Sequence, residues 1–224
     1  MMRRMLSAKS LVAVIAFFLA MDVAGYSAAG YLKQFTFDDA AALDTWAKMI
    51  LHGKVDYTLM KVGPNGYVQA VSEKACSALY YRVAFKAADY PYLSWKWQVI
   101  KFPDKSQAFD DKAKNDYAAR MYVIFPFLSF SSSKFIEYVW TDDAPAGTVI
   151  DSPDGKNIKM IVVRSDPAGG DWYRESRNVY EDYLKAFGEQ PKLKVGAVAM
   201  MCDADNTKSE AESLFDEIAI ASQE

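Results

Sequence analysis

The stretch Tyr92-Leu93-Ser94-Trp95-Lys96-Trp97-Gln98-Val99 decides the fold. Successive side chains of an extended chain point to opposite faces, so Leu93, Trp95, Trp97 and Val99 fall on one side and Ser94, Lys96 and Gln98 on the other. That is the period of a strand with one face in a core and the other in water. Trp95 and Trp97 share the phase of Leu93 and Val99, so both are expected inside.

The same kind of segment recurs along the chain. Upstream lie residues 32–37, 56–62, 67–71 and 78–85, with Gly63-Pro64-Asn65-Gly66 as a turn between the second and third. Residues 38–46 read as a loop or a single helical turn. Downstream lie residues 119–125, 135–141, 158–163, 195–201 and 215–221, separated by charged or Gly/Pro-rich connections such as 102–115 and 141–156. Many short strands with turn signals between them predict an all-β fold, a jelly-roll-like antiparallel β-sandwich with one or two short helices. One helix is explicit: Ser176 is placed to cap it, Val179, Tyr183, Leu184 and Phe187 share a face, and Gly188 ends it.

Residues 1–29 carry a different signal. Met1-Met2-Arg3-Arg4 precedes 11 apolar residues from Leu11 to Met21, then Asp22 and the small-residue run Ala24-Gly25-Tyr26-Ser27-Ala28-Ala29. This is the order of a secretory signal peptide, with cleavage after Gly25 or Ala29. The apolar run is shorter than the roughly 20 residues a membrane helix needs. The expected organisation is a signal peptide over 1–29 and one β-sandwich domain over 30–224, periplasmic or secreted, with no transmembrane segment after cleavage. Losing Arg3, Arg4, Lys9 and Asp22 makes the remaining chain more acidic than the formal net charge of -3. An acidic domain has no positive field for nucleic acid, which is therefore not an expected partner.

The chemistry is bounded by what is scarce. The single histidine, His52, has no signature around it, which removes paired-histidine zinc sites and leaves a Ser-His-Asp arrangement without its usual elbow. No phosphate-binding glycine pattern occurs, so no nucleotide cofactor is expected. Cys76 and Cys202 lie in apolar, strand-like runs, and two readings stand: a disulfide or two buried thiols.

Oxygen ligands are plentiful by contrast. Asp203-Ala204-Asp205-Asn206-Thr207 follows an apolar strand, and Asp203, Asp205 and Thr207 are candidate calcium ligands. A solvated Asx-rich turn is the alternative. Asp38-Asp39 and Asp216-Glu217 form a second possible oxygen cluster if the first and last strands are neighbours.

Residues 171–183 concentrate Trp172, Glu175, Arg177, Asn178, Tyr180 and Asp182, and Asp116, Tyr117 and Arg120 form a smaller set. Rings beside Arg, Asn and carboxylates suit sugar recognition, and Trp140 and Trp172, placed near loops, join the candidates. A buried Arg-carboxylate network pinning the helix to a sheet would use the same residue types.

Five blocks taken in order, Trp95-Lys96-Trp97, Asp116-Tyr117-Ala118-Ala119-Arg120, Tyr138-Val139-Trp140, Arg177-Asn178-Val179-Tyr180-Glu181-Asp182-Tyr183 and Asp203-Ala204-Asp205-Asn206-Thr207, resemble domain-of-unknown-function family 3047. The resemblance implies an exported bacterial protein and names no reaction. Asn115 stands where that pattern leads one to expect another Asp, and Cys76 and Cys202 look like local substitutions. The expected function is non-catalytic binding of a carbohydrate or cell-envelope polymer. The alternatives are a carboxylate-based glycan-active enzyme, which needs two carboxyls facing each other across a cleft, and an envelope assembly or scaffold protein.

Overall fold

A computed structural model describes residues 30–110 and 112–224. The signal-peptide expectation over 1–29 lies outside the described residues. Thirteen strands build two sheets: β1 (Tyr31–Phe35), β2 (Ala47–His52), β3 (Asp56–Val62), β4 (Asn65–Glu73), β5 (Cys76–Phe85), β6 (Tyr92–Lys101), β7 (Ala119–Phe125), β8 (Lys134–Trp140), β9 (Val149–Asp151), β10 (Ile158–Arg164), β11 (Tyr173–Asn178), β12 (Val195–Asp203) and β13 (Glu210–Ala221). One sheet runs β11-β6-β13-β4-β3 with β1 also paired to β13. The other runs β2-β5-β12-β7-β8-β10-β9. This is the expected all-β sandwich. Every described pairing is antiparallel except that of β10 with β8, which a crossover through β9 makes parallel.

The sequence period of β6 holds. Leu93, Trp95, Trp97 and Val99 are all buried, and the two indoles meet Tyr138 and Trp140 of β8 across the sandwich. Trp140, expected near a loop, is therefore a core residue with no exposure, and its indole N–H donates to the Asp166 carbonyl oxygen at 2.7 Å.

The β3–β4 hairpin turns on Gly63 and Pro64 alone, with Gly63 at φ 62, a conformation that favours glycine. Gly66 is required for another reason. A methyl group there would stand 1.8 Å from the Phe37 carbonyl oxygen, while the Gly66 N–H donates to Asp38 at 2.7 Å.

Three strands were not visible in the sequence. β2 lies at a sheet edge with most residues exposed, β9 has three residues, and β11 is the segment read as ligand-recognising. β11 pairs with β6 from Tyr173 to Asn178, which places Ser176 opposite Ser94 in a strand, so it does not cap the helix. The cap of α1 (Val179–Phe187) is Asn178, whose side chain accepts from the Glu181 N–H at 3.1 Å, and Gly188 closes the helix at φ 70.

β12 is buried along its whole length, and β5 and β7 flank it. Val198, Met200 and Cys202 point into the sandwich core, whereas Ala197, Ala199, Met201 and Asp203 face the other way. On that outer face the small side chains of Ala78 and Ala199 leave depth. Among the described residues, no helix is long and apolar enough to cross a membrane.

Candidate ligand-binding cavity

The outer face of the seven-stranded sheet carries a cavity of about 510 Å³. Side chains from β2, β5, β12, β7, β8 and β10 line it, so the sheet itself is its floor. Its size is that of a small-molecule site. Ala78, Ala199 and Met201 form the apolar bottom, and Met49, Tyr80, Tyr122 and Phe135 rise around them. At the polar end stand His52, Cys76, Asn115, Arg120, Glu137, Asp154, Asp203 and Asp205.

Arg120 organises that end. Its Nε and Nη2 donate to the two carboxylate oxygens of Asp203 at 3.2 and 2.7 Å, its Nη1 to Glu137 at 2.9 Å, and its Nη2 also to the Asn115 carbonyl oxygen at 2.7 Å. The guanidinium lies 4.6 Å from the centre of the Tyr117 ring, a cation–π contact. All three charged groups are buried. One guanidinium can neutralise one carboxylate. Burial pushes Asp203 up to about 7, with nearby Asp116 adding to the rise and Arg120 opposing it. Burial raises Glu137 as well, again against Arg120. Asp205 is raised by burial and by Asp116, and lowered by His52.

Asp116 does not reach the cavity. It clamps the loop after β12 by accepting from the Asn206 and Thr207 N–H groups at 3.2 and 2.7 Å, the Asn206 side chain at 3.0 Å and the Thr207 hydroxyl at 2.6 Å. Tyr117 contributes its backbone N–H to Asp203 at 2.7 Å. Two sequence motifs thus form one knot: Asp116, Tyr117 and Arg120 hold Asp203, Asn206 and Thr207 in place. Of the three proposed calcium ligands, Thr207 is committed to Asp116 and to the Ser209 hydroxyl at 2.8 Å. Asp203 and Asp205 group instead with Cys76.

The second candidate set stands elsewhere. Arg177 donates to Asp182 from Nε at 2.9 Å and from Nη2 at 2.5 Å, and Asp182 accepts from the Tyr138 hydroxyl at 2.9 Å, pinning α1 to β8. Glu175 accepts from Arg164 at 2.6 Å and from the Trp97 indole at 3.2 Å. Asn178 is the helix cap, Tyr180 packs against the core, and Trp172 sits edge-on to Tyr67 of β4 in the other sheet. Glu175 and Asp182 are buried in these ion pairs, the network that the same residue types could also form, while Arg177 and Trp172 stay partly exposed. Cys76 and Cys202 are free, and they face opposite sides of their sheet, Cys76 toward the cavity and Cys202 into the core.

Tyr80, Tyr122 and Glu137 were not singled out in the sequence, and Asn115 only as a departure from the family pattern. The available signal was polar residues recurring at alternate positions in otherwise apolar strands: Arg120 and Tyr122 in β7, and Glu137 in β8.

A family model matches residues 44–219, so the chain belongs to the family described as protein of unknown function, DUF3047. A search of curated protein sequences finds no match. Among solved structures the chain is similar to the xyloglucanase domain of NopAA, a type three effector from Sinorhizobium fredii, at 14% identity and TM-score 0.45 over 88% of this chain and 99% of that one. It is also similar to the family 30 carbohydrate-binding module of a cellulosomal cellulase of Clostridium thermocellum, at 9% identity and TM-score 0.44 over 80% and 92%. Against the Endo-D glycoside hydrolase domain from Streptococcus pneumoniae it shows 10% identity and TM-score 0.39 over 80% of this chain, and spans only 22% of that one.

Proposed function

We propose that this member of the DUF3047 family binds a saccharide unit of a glycan or cell-envelope polymer in the cavity on its seven-stranded sheet, outside the cytoplasm and without breaking it down. The observation that carries the reading is the division of the cavity into an apolar, tyrosine-walled part and a polar end. A sugar ring has apolar C–H faces and hydroxyl edges, so it needs both kinds of surface side by side. Tyr80 and Tyr122 offer rings for the faces, and Asn115, Asp154 and Asp205 offer acceptors for hydroxyl groups. The extracytoplasmic address rests on the order of Arg3, Arg4, the apolar run and the small residues after it.

The non-catalytic part rests on how five of the carboxylates are engaged. Glycosidic hydrolysis needs an acid and a base or nucleophile free to act on opposite sides of a bond. Asp203 and Glu137 share Arg120, Glu175 is tied to Arg164, Asp182 to Arg177, and Asp116 to the loop after β12.

Thermal melts of the folded protein with a panel of bacterial polysaccharide fragments test this, because a ligand that binds only the folded state raises the midpoint. One fragment class is expected to raise it, and Tyr122→Ala to weaken that fragment about tenfold, ~1.4 kcal/mol. Trp172→Ala, beside the other sheet, leaves binding unchanged. Absence of any shift, or loss of binding in Trp172→Ala but not in Tyr122→Ala, overturns the site. Release of new reducing ends from the bound fragment overturns the non-catalytic assignment alone.

A further inference from the structure

Three adjacent strands present a row of metal-ligating side chains at the polar end of the cavity. His52 of β2 is the pairing partner of Cys76 of β5, and Cys76 is the partner of Asp203 of β12. Residues paired across neighbouring strands share a face with Cβ atoms about 4.5–5.5 Å apart. Imidazole, thiol and carboxylate therefore project side by side, and all three line the cavity. Asp205, on the loop just beyond, adds a second carboxylate. One ligand atom each from Cys76, Asp203 and Asp205 lies within 4.8 Å of the others, and Cys76 Sγ stands 4.0 Å from Asp203 Oδ2.

Asn115 is an independent sign that this end of the cavity is built around something. It is 4% exposed, lines the same cavity, and its side-chain oxygen has no hydrogen-bond partner, while its amide nitrogen donates to Asp154 at 2.8 Å and fixes the orientation. A buried acceptor left unpaired is costly, and a cation or its bound water removes that cost.

We propose that His52, Cys76, Asp203 and Asp205 bind a borderline divalent transition-metal cation of the zinc class. A thiolate and an imidazole in one set select such an ion over calcium or magnesium, which take oxygen ligands. Metal–sulfur bonds of about 2.3 Å and metal–oxygen bonds of about 2.0–2.2 Å bring two ligands of one ion within about 4 Å, so Cys76, Asp203 and Asp205 need only a small closure, and His52, on the edge strand, swings in as the fourth ligand. Buried carboxylates outnumber the cationic Arg120 here, and a dication balances them. Arg120, holding Asp203 by two contacts, takes the part of the outer residue that orients a ligand. Binding forms the metal–sulfur bond and breaks the Cys76 S–H bond, the proton leaving to solvent, so affinity rises with pH. Sequence spacing conceals the set, because His52 and Cys76 meet only through strand pairing.

Titration of the folded protein with Co²⁺, without any saccharide, tests the site separately from glycan binding. A near-ultraviolet thiolate-to-cobalt band is expected to saturate at one equivalent and to vanish on adding Zn²⁺. Cys76→Ser removes it, whereas Cys202→Ser, whose thiol faces the core, keeps it. His52→Ala changes an exposed edge residue, leaves the fold intact, and is expected to weaken Co²⁺ by at least the roughly tenfold that loss of an outer orienting residue costs. No band, a band surviving Cys76→Ser or lost in Cys202→Ser, affinity unchanged in His52→Ala, or displacement by Ca²⁺ as effective as by Zn²⁺ overturns the proposal.

Discussion

Arg120 shows how much of a site hides between motifs. Asp116-Tyr117-Ala118-Ala119-Arg120 and Asp203-Ala204-Asp205-Asn206-Thr207 stand out separately in the sequence, but nothing in either says that Arg120 and Asp203, 83 residues apart, hold each other. Removing one partner of a buried pair leaves the other charged and unpaired, which costs about 3–5 kcal/mol. Arg120→Met is expected to lose about that much in urea unfolding, and adding Asp203→Asn to recover part of it, since residues in one network do not add. Recovery of nothing would mean that the guanidinium acts by packing alone. Asp216 carries a second prediction. Burial, reinforced by Asp38, pushes it from 3.8 up to about 6, with Lys96 and Arg174 opposing. The folded state therefore holds this proton more tightly than the unfolded state, and the associated stability is full below pH ~4 and lost as pH rises through about 6. Asp216→Asn mimics the protonated form, so its stability relative to the parent should climb between those values and then level off. A flat difference across that range would contradict the shift.

Among the elements, strands that bury at least one face were legible, and the mostly exposed or very short ones, β2 and β9, were not. β6 declared itself by alternation. β2 exposes most of its side chains and has no period to read, although it delivers His52 and Met49 to the cavity. β8 is buried on both sides, so Glu137 reads as an interruption in an apolar run although it is the outward position of a regular strand. Residues 171–183 carry two readings for a chemical reason: Arg, Asn, Tyr and carboxylates serve a buried network as well as a binding face. β11 and α1 use them internally, through Glu175 with Arg164 and Asp182 with Arg177. Asn178→Ala removes the acceptor for the Glu181 N–H, and about 1 kcal/mol should be lost from the melting free energy. Ser176→Ala, in the strand, should cost α1 nothing by comparison, and equal effects would return the cap to Ser176.

At the scale of the molecule, the sandwich followed from strand spacing because both sheets share one core, in which Trp95 and Trp97 of one sheet meet Tyr138 and Trp140 of the other. Which face would hold a cavity did not follow, since that depends on two small outward residues, Ala78 and Ala199, standing diagonally across β5 and β12, opposite Met201 and Tyr80. The pairing of β13 has a consequence for how the molecule comes into being. β13 binds β1, β4 and β6 at once, and without it the six-stranded sheet falls into separate pieces. It also leaves the ribosome after every strand it joins, so that sheet cannot close until synthesis has passed residue 221. Long-range pairing of this kind folds slowly. Until then β11 with β6, β3 with β4, and β1 wait as separate pieces for the one strand that makes them a sheet.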